Sequence, residues 1–501
     1  MPFAVELLAA ALAGWGHAQS FAADNRWWLQ LAMVAVLAGL VHRTASARRA
    51  GFLGWAYSTA WVVGSTWWLY ISMHEYGGLP GWLAALAVFL LGAFLSLYLG
   101  VAMWWHVRSG ARERLWSPVL FAAVWLLAEL ARGVLFTGFP WAASGYAHVE
   151  GPLTSLAPWW GVYGIGFVAA WIGAAGAKAL AAGAHPRGWA PLLGALGLCV
   201  VAAAVPHEFT DPTGRLTVTL LQGNVPQDEK FSAEHLPQAL EWYAAQLDAA
   251  TGDLVITPET AIPLLPHQLP EGYWEARRQK MAQGQTAWLV GMPLGSFESG
   301  YTNSAVGLAP GVPLDYRYDK YHLVPFGEFI PWGFRWFVEM MNMPLGDFDR
   351  GPLGAPSFVV RGERLAPNIC YEDLFGEELA ARFSDAKVAP TVFANISNIA
   401  WFGNTVAIHQ HLQISRMRAL EFQIPMVRAT NTGATAIIDH TGRVTHQLPP
   451  YTRAALTGPI QGRTGLTPYA WWASRAGLLP LAAFALLLLV AHQRIWPRRS
   501  E

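Results

Sequence analysis

Apolar residues gather into eight long stretches, and a block with a different rhythm separates the seventh from the eighth. Crossing a bilayer takes about 20 mostly apolar residues. Stretches of that kind run at 3–19, 27–42, 52–72, 80–105, 115–136, 158–181 and 188–205, and the eighth at 474–493. The first also has the look of a signal peptide. Little positive charge precedes it and no clear small-residue cleavage site follows, which favours a retained span. In the intervening block, residues 216–222 (Leu-Thr-Val-Thr-Leu-Leu-Gln) alternate as a strand does. Short apolar runs at 253–257, 287–290, 304–308, 388–394, 425–430 and 435–439 also predict strands. Helical patterns cover 232–250, 271–283 and 407–422. Strands mixed with helices over about 250 residues predict one α/β domain built on β-sheet. Residues 206–214 and 461–470 read as its tethers.

Composition sharpens this picture. Hydrophobic residues make up 53% of the 501 and charged residues only 13%, against about 25% charged in soluble domains. The chain reads as an integral membrane protein. Its 33 basic and 33 acidic residues cancel, leaving no electrostatic footprint for nucleic acid. The 26 tryptophans suit extensive interfacial surface.

The basic residues then orient the spans. Arg43, Arg48 and Arg49 follow the second stretch. Arg108, Arg112 and Arg114 follow the fourth, Lys178 and Arg187 flank the sixth connection, and Arg494, Arg498 and Arg499 close the chain. Eight spans with the N-terminus inside place all these clusters in the cytoplasm. The polar block then lies outside the bilayer. The domain expectation is a transmembrane bundle at 1–205, an external domain at 206–470, and a last span with a basic cytoplasmic tail at 471–501. The connection at 137–157 opens with Thr-Gly-Phe-Pro-Trp; its Gly and Pro break a helix and its aromatics suit the outer interface. Glu129 and Arg132, three apart in the fifth stretch, read as a self-neutralising pair.

Chemistry concentrates on a sulfur. The chain has two cysteines, Cys199 in an apolar run and Cys370 in the polar block, poorly placed for a disulfide. A lone thiol in an oxidising compartment is a liability unless it has a chemical use. A thiol nucleophile needs a base, a donor for the developing oxyanion and an acid for the leaving group. Glu259 follows the predicted strand at Ile-Thr-Pro-Glu-Thr and can serve as base and then acid. Lys320, in Tyr-Asp-Lys-Tyr-His, can hold an oxyanion. Strand ends are where side chains distant in sequence converge. Taken alone, each residue also has a plain reading: a small buried hydrophobe, a turn carboxylate and a surface lysine.

Three local contexts together resemble one family. Residues 253–263 (Asp-Leu-Val-Ile-Thr-Pro-Glu-Thr-Ala-Ile-Pro) resemble the glutamate motif of the nitrilase superfamily. Residues 318–331 (Tyr-Asp-Lys-Tyr-His-Leu-Val-Pro-Phe-Gly-Glu-Phe-Ile-Pro) resemble its lysine motif, and residues 367–373 (Pro-Asn-Ile-Cys-Tyr-Glu-Asp) its cysteine motif. With the spans, the Gln-Gly-Asn-Val-Pro-Gln stretch at 222–227 and the Gly-Phe-Pro-Trp loop at 138–141, the whole chain is similar to the apolipoprotein N-acyltransferase family. The resemblance implies an αββα nitrilase-like sandwich facing the periplasm on a bundle of about eight spans, in the bacterial inner membrane. It implies that Cys370 takes an acyl chain from a phospholipid as a thioester. The N-terminal amine of a diacylglyceryl-cysteine apolipoprotein then receives the chain in ping-pong order, with no metal or organic cofactor.

Other roles follow from the same resemblance. Glu328 matches the family's second glutamate, and its implied role is to orient Lys320 or share its proton work. Glu372 matches a further glutamate, and also reads as a helix-start carboxylate. Tyr371 matches the residue after the cysteine. Trp332 and Phe334, with Trp401 and Phe402, form two aromatic stretches that suit either a lipid gate or packing. This chain has Phe231 where the family often carries tryptophan. His409 and His411 point to different faces of a helix, which argues against zinc. Two rivals remain: a membrane-tethered nitrilase or amidase acting on a small amide with the same triad, and a non-enzymatic transporter or receptor. The latter needs coupling charges inside the spans, where only Glu6, Glu129 and Arg132 stand out. A monomer is the simplest assembly.

Overall fold

The computed structural model describes residues 2–22, 24, 26–205, 208–296, 298–312, 314–340 and 347–495. The expected tail residues Arg498 and Arg499, and the start of the polar block at 206–207, lie outside that set. The chain divides into two compact units. One comprises residues 1–70, 81–207 and 476–501; the other comprises 71–80 and 208–475.

The first unit is helical. Among the described residues, four of its helices are long and apolar enough to cross a membrane: Gly81–Arg108, Ser117–Thr137, Thr154–Ala182 and Pro186–Ala204. A fifth is added if Pro468–Ala476 and Leu479–Ile495 count as one broken span. Phe3–Ala18 and Trp27–Arg43 are apolar but only 16 and 17 residues long. Ala47–Thr66 has 20 residues and begins with Arg48 and Arg49. Helices therefore occupy each expected stretch, while fewer than eight satisfy the length and hydropathy of a span.

The loop after Ser117–Thr137 departs from its expected interfacial character. Trp141 and Tyr146 are buried, as are Ser144 and His148. The cause is polar anchoring. Phe139 N–H donates to Arg132 O at 2.7 Å, and Gln30 Nε2 donates to Ser144 O at 2.8 Å. A buried backbone group needs such partners; here the carbonyl of Arg132 in the preceding helix and the Gln30 side chain of another helix supply them. Glu129 and Arg132 are buried and paired at 3.1 Å.

The second unit contains two six-stranded sheets. In chain order the strands are β1 (Thr210–Gln222), β2 (Leu254–Ile256), β3 (Ala287–Ser296), β4 (Gly300–Leu308), β5 (Tyr316–Asp319), β6 (Phe358–Val360), β7 (Glu363–Ile369), β8 (Val392–Ser397), β9 (Met426–Thr430), β10 (Ala436–Ile438), β11 (Val444–Gln447) and β12 (Ala454–Gly465). One sheet has the order β12-β1-β2-β3-β4-β5, the other β11-β10-β9-β8-β7-β6. In each, two consecutive parallel pairings join three central strands: β1-β2-β3 and β7-β8-β9. The remaining pairings are antiparallel. Fully buried runs such as Leu-Val-Ile in β2 are what central parallel strands require.

The two sheets face each other across one core. Val218, Leu220, Ile256 and Leu289 from the first meet Leu365, Ile369, Ala394 and Val427 from the second. The outer face of the first sheet packs on Leu236–Ala249, which buries Ala239, Leu240, Tyr243, Ala244 and Leu247 along one side. On the second sheet, Phe393 meets Phe422 at 5.2 Å, at the end of the helix Val406–Phe422. The layers are α, β, β, α, a nitrilase-like sandwich. Residues 210–214 and 461–465 of the expected tethers are in fact strand: Thr210 pairs with Gly465, and β1 and β12 run antiparallel from there, while 468–470 open the helix Pro468–Ala476. In β1 the residues 211–215 are all exposed, so no period-two alternation marked that end as strand.

Candidate active site

Each of the three expected residues follows a strand end. Glu259 lies three positions beyond β2, Lys320 one beyond β5, and Cys370 one beyond β7. Glu259 and Lys320 are buried, and Cys370 is half-buried. Lys320 Nζ stands 2.9 Å from Glu328 and 3.4 Å from Glu259 Oε1. Asn303, in β4, donates through Nδ2 to both carboxylates, at 2.7 Å to Glu259 and 2.6 Å to Glu328. The Asn398 N–H, just past β8, donates to the other Glu259 oxygen at 2.8 Å. Glu328 is fixed in turn by the Val324 N–H at 2.8 Å. Two carboxylates thus share one ammonium and one amide, and the second sheet supplies a donor to the first sheet's glutamate.

Electrostatics sets the resting protonation. Burial raises the carboxyl pKa of Glu259, but Lys320, Asn303, Lys230 and the Asn398 N–H outweigh it and hold it below the ordinary value. Burial works against the Lys320 ammonium, yet Glu328, Glu259 and Cys370 hold its pKa above the ordinary lysine range. For Cys370, burial and the Glu259 charge push the thiol up, and Lys320 only partly opposes them. At rest the trio is therefore carboxylate, ammonium and thiol.

Glu372 does more than start a helix. Its oxygens accept from Ile369 N–H at 2.6 Å, Tyr321 N–H at 2.7 Å, His322 N–H at 3.2 Å and Tyr318 Oη at 2.7 Å. One buried carboxylate therefore pins the segment that carries Lys320 to the turn that carries Cys370. Tyr371 is buried, 5.6 Å from the His322 ring and 5.3 Å from Phe375.

A second network supports the Cys370 peptide. His411 is buried on Val406–Phe422, whereas His409 is exposed. His411 Nε2 lies 3.2 Å from Cys370 O and 3.0 Å from Asp373 Oδ1, and its Nδ1 lies 3.1 Å from Arg428 Nη2. Those partners require Nε2–H as donor and a bare Nδ1 as acceptor. Asp373 also accepts from Ser415 Oγ and from Arg428 at 3.1 Å.

The backbone is strained around these residues. Cys370, Thr260 and Phe326 adopt φ of 52°, 50° and 64°. Non-glycine residues rarely do so, and for a β-branched threonine the conformation is a true outlier. Such strain concentrates where surrounding structure holds a site in a set geometry.

The aromatic candidates occupy separate loops. Trp332 is 99% exposed and Phe334 45% exposed; the Phe334 ring meets Phe326 at 5.3 Å. Trp401 and Phe402 are half-buried, and Trp401 meets Tyr76 edge-on at 5.8 Å. Tyr76 belongs to the 71–80 excursion, which lies far from this unit in sequence. Asn303, Asn398 and Lys230 were not foreseen. Asn303 sits in the polar run Thr-Asn-Ser at the edge of the 304–308 run read as strand, so no local signal marked it.

Comparison with known proteins agrees with these motifs. Residues 13–175 match the apolipoprotein N-acyltransferase N-terminal domain, and residues 217–469 match carbon-nitrogen hydrolase. An apolipoprotein N-acyltransferase of Verminephrobacter eiseniae is 51% identical over 94% of this chain and 92% of its own. One from Ralstonia nicotianae is 46% identical over 97% and 92%, and one from Bordetella bronchiseptica 42% over 97% and 96%. The chain belongs to the apolipoprotein N-acyltransferase family.

Proposed function

We propose that this protein moves a fatty acyl chain from a membrane phospholipid, through a thioester on Cys370, to the N-terminal amine of a diacylglyceryl-cysteine apolipoprotein. The observation that carries this reading is the shared ammonium: Lys320 lies between Glu259 and Glu328 beside a protonated thiol. The alternating basic clusters support a catalytic domain at 206–470 on the periplasmic side of the inner membrane, in a chain of eight spans.

In the first half-reaction, Cys370 Sγ attacks the ester carbonyl while Glu259 takes the thiol proton. The raised thiol and lowered carboxyl make that transfer unfavourable alone, so it must accompany C–S bond formation. Lys320 stabilises the tetrahedral oxyanion. Glu259 then protonates the departing glycerol oxygen, and a lysophospholipid leaves. In the second, the amine attacks the thioester, the C–S bond breaks and an amide forms. Splitting the transfer helps because a thioester is more reactive towards an amine than the starting ester. Glu328 keeps Lys320 oriented, and Glu372 holds the two reacting segments together. Trp332, Phe334, Trp401 and Phe402 line the way in for lipid chains.

Mass spectrometry of the purified protein after exposure to phospholipid tests this. A fatty-acyl mass on Cys370, removed by a diacylglyceryl-cysteine peptide and absent from Cys370→Ala, is expected. A Cys370→Ala protein that still acylates the peptide, or a thioester that only water discharges, overturns the reading; the second outcome marks a hydrolase.

A further inference from the structure

Lys230 is a second lysine of this site, and the chemistry above leaves it unused. It is buried, and its Nζ donates to the backbone oxygen of Glu259 at 3.1 Å. Among the described residues no carboxylate lies within ion-pair distance of it, whereas Lys320 is held by two. A hydrogen bond to a peptide oxygen survives deprotonation, because a neutral amine keeps two N–H donors and gains a lone pair. Lys320, clasped by two carboxylates, has no such freedom.

We infer that Lys230 takes the proton from the acceptor's N-terminal ammonium in the second half-reaction, leaving Glu259 to serve the thiol and the departing alcohol in the first. The inference rests on the acyl-transfer reading above. The order of charges favours it. With Lys230 neutral, the two carboxylates outnumber the one remaining ammonium, and the site attracts a cationic acceptor.

The proton accounting closes. The acceptor ammonium gives one proton to the Lys230 amine. The free amine attacks the thioester carbonyl, and the tetrahedral nitrogen carries one surplus proton. That proton passes through Glu259 to the Cys370 sulfur as the C–S bond breaks. Amide and thiol result, and Lys230 releases its proton to water.

Proton affinities are consistent with this division. Burial lowers Lys230 to about 8, against the pull of Glu259 and Cys370, close to an α-amine at about 7.7–8.0. Glu259 lies below 4.5, roughly three pH units or more from that amine.

The test separates the half-reactions. Wild type, Lys230→Arg and Lys230→Gln are loaded from phospholipid and freed of donor. They are then mixed at pH 7.5 with either a diacylglyceryl-cysteine peptide or hydroxylamine. Hydroxylamine is already neutral at that pH and needs no proton removed before attack. Both variants are expected to collect the acyl chain and to release it to hydroxylamine as wild type does. Transfer to the peptide should fall by about 100-fold or more. Arginine keeps the hydrogen bond and the charge but cannot accept a proton, so a structural role would be rescued in Lys230→Arg. Peptide transfer within threefold of wild type overturns the inference. So does hydroxylamine release slowed as much as peptide transfer, or failure of both variants to load. A wild type that never loads overturns the acyl-transfer reading itself, and this inference with it.

Discussion

Glu129 in the helical unit and Glu259 in the two-sheet unit are both carboxylates buried beside a cation, and they are wired differently. Glu129 accepts from Arg132 at 3.1 Å, Trp125 Nε1 at 3.1 Å, Ser144 N–H at 2.7 Å and Ser144 Oγ at 2.7 Å. All four donors come from one helix and the loop that follows it. Glu259 keeps its cation at 3.4 Å and shares it with Glu328, beside a thiol. The saturated arrangement locks a loop in place. The shared one leaves a carboxylate able to accept and return a proton, because Lys320 keeps a partner whichever state Glu259 is in. A buried ion pair is thus no sign of chemistry in itself; what differs here is that the Lys320 ammonium has a second carboxylate, Glu328, and stands beside a thiol.

The largest way to break this contrast is Glu259→Gln. It keeps an acceptor for the Asn398 N–H, turns an NH2 towards the donors Asn303 and Lys320, and removes the base, so thioester formation should drop about 10³-fold, more than any loss of folded protein read by thermal unfolding accounts for. Glu129→Gln should do the reverse. It leaves Arg132 buried without its countercharge and should cost about 3–5 kcal/mol of stability, read by thermal unfolding in detergent, while surviving folded protein still loads Cys370. A loading defect larger than the folding defect would erase the distinction. Glu372→Ala lies between the two, because it unties the Lys320 segment from the Cys370 turn. Loss of several buried hydrogen bonds should cost about 2–4 kcal/mol and should slow loading as well. His411→Ala should be milder, about 1–3 kcal/mol, since Arg428 still meets Asp373. The smallest effect concerns reactivity at rest. With its thiol held well above 9, Cys370 should react with iodoacetamide more slowly than a free cysteine at pH 7.5 and accelerate as pH rises past 9.

The sequence made the fold class and the three candidate residues more legible than the individual strands and supporting contacts. Motifs around Glu259, Lys320 and Cys370 identified three residues that the fold does gather near one another. Their supports were harder to see. Asn303 acts through its amide from the same sheet as Glu259 and Asn398 through its backbone N–H from the opposite one, and nothing local marks either as facing that glutamate. Strands β5, β6 and β11 are three or four residues long, too short for an alternation to register. β12 alternates, but with Gly and Pro among its residues. Hydropathy located the helices without revealing that 71–80 belongs with the sheets, or that 140–149 is buried; both outcomes depend on contacts with residues remote in sequence.

The left-handed backbone at Cys370 carries one more consequence. Glycine accepts that conformation freely, whereas a residue with a Cβ bears a penalty of roughly 1 kcal/mol. Cys370→Gly should therefore melt at a higher temperature than Cys370→Ala. Durability and activity pull in opposite directions at this one position, so a search for hardier variants that ignores catalysis would discard the sulfur first.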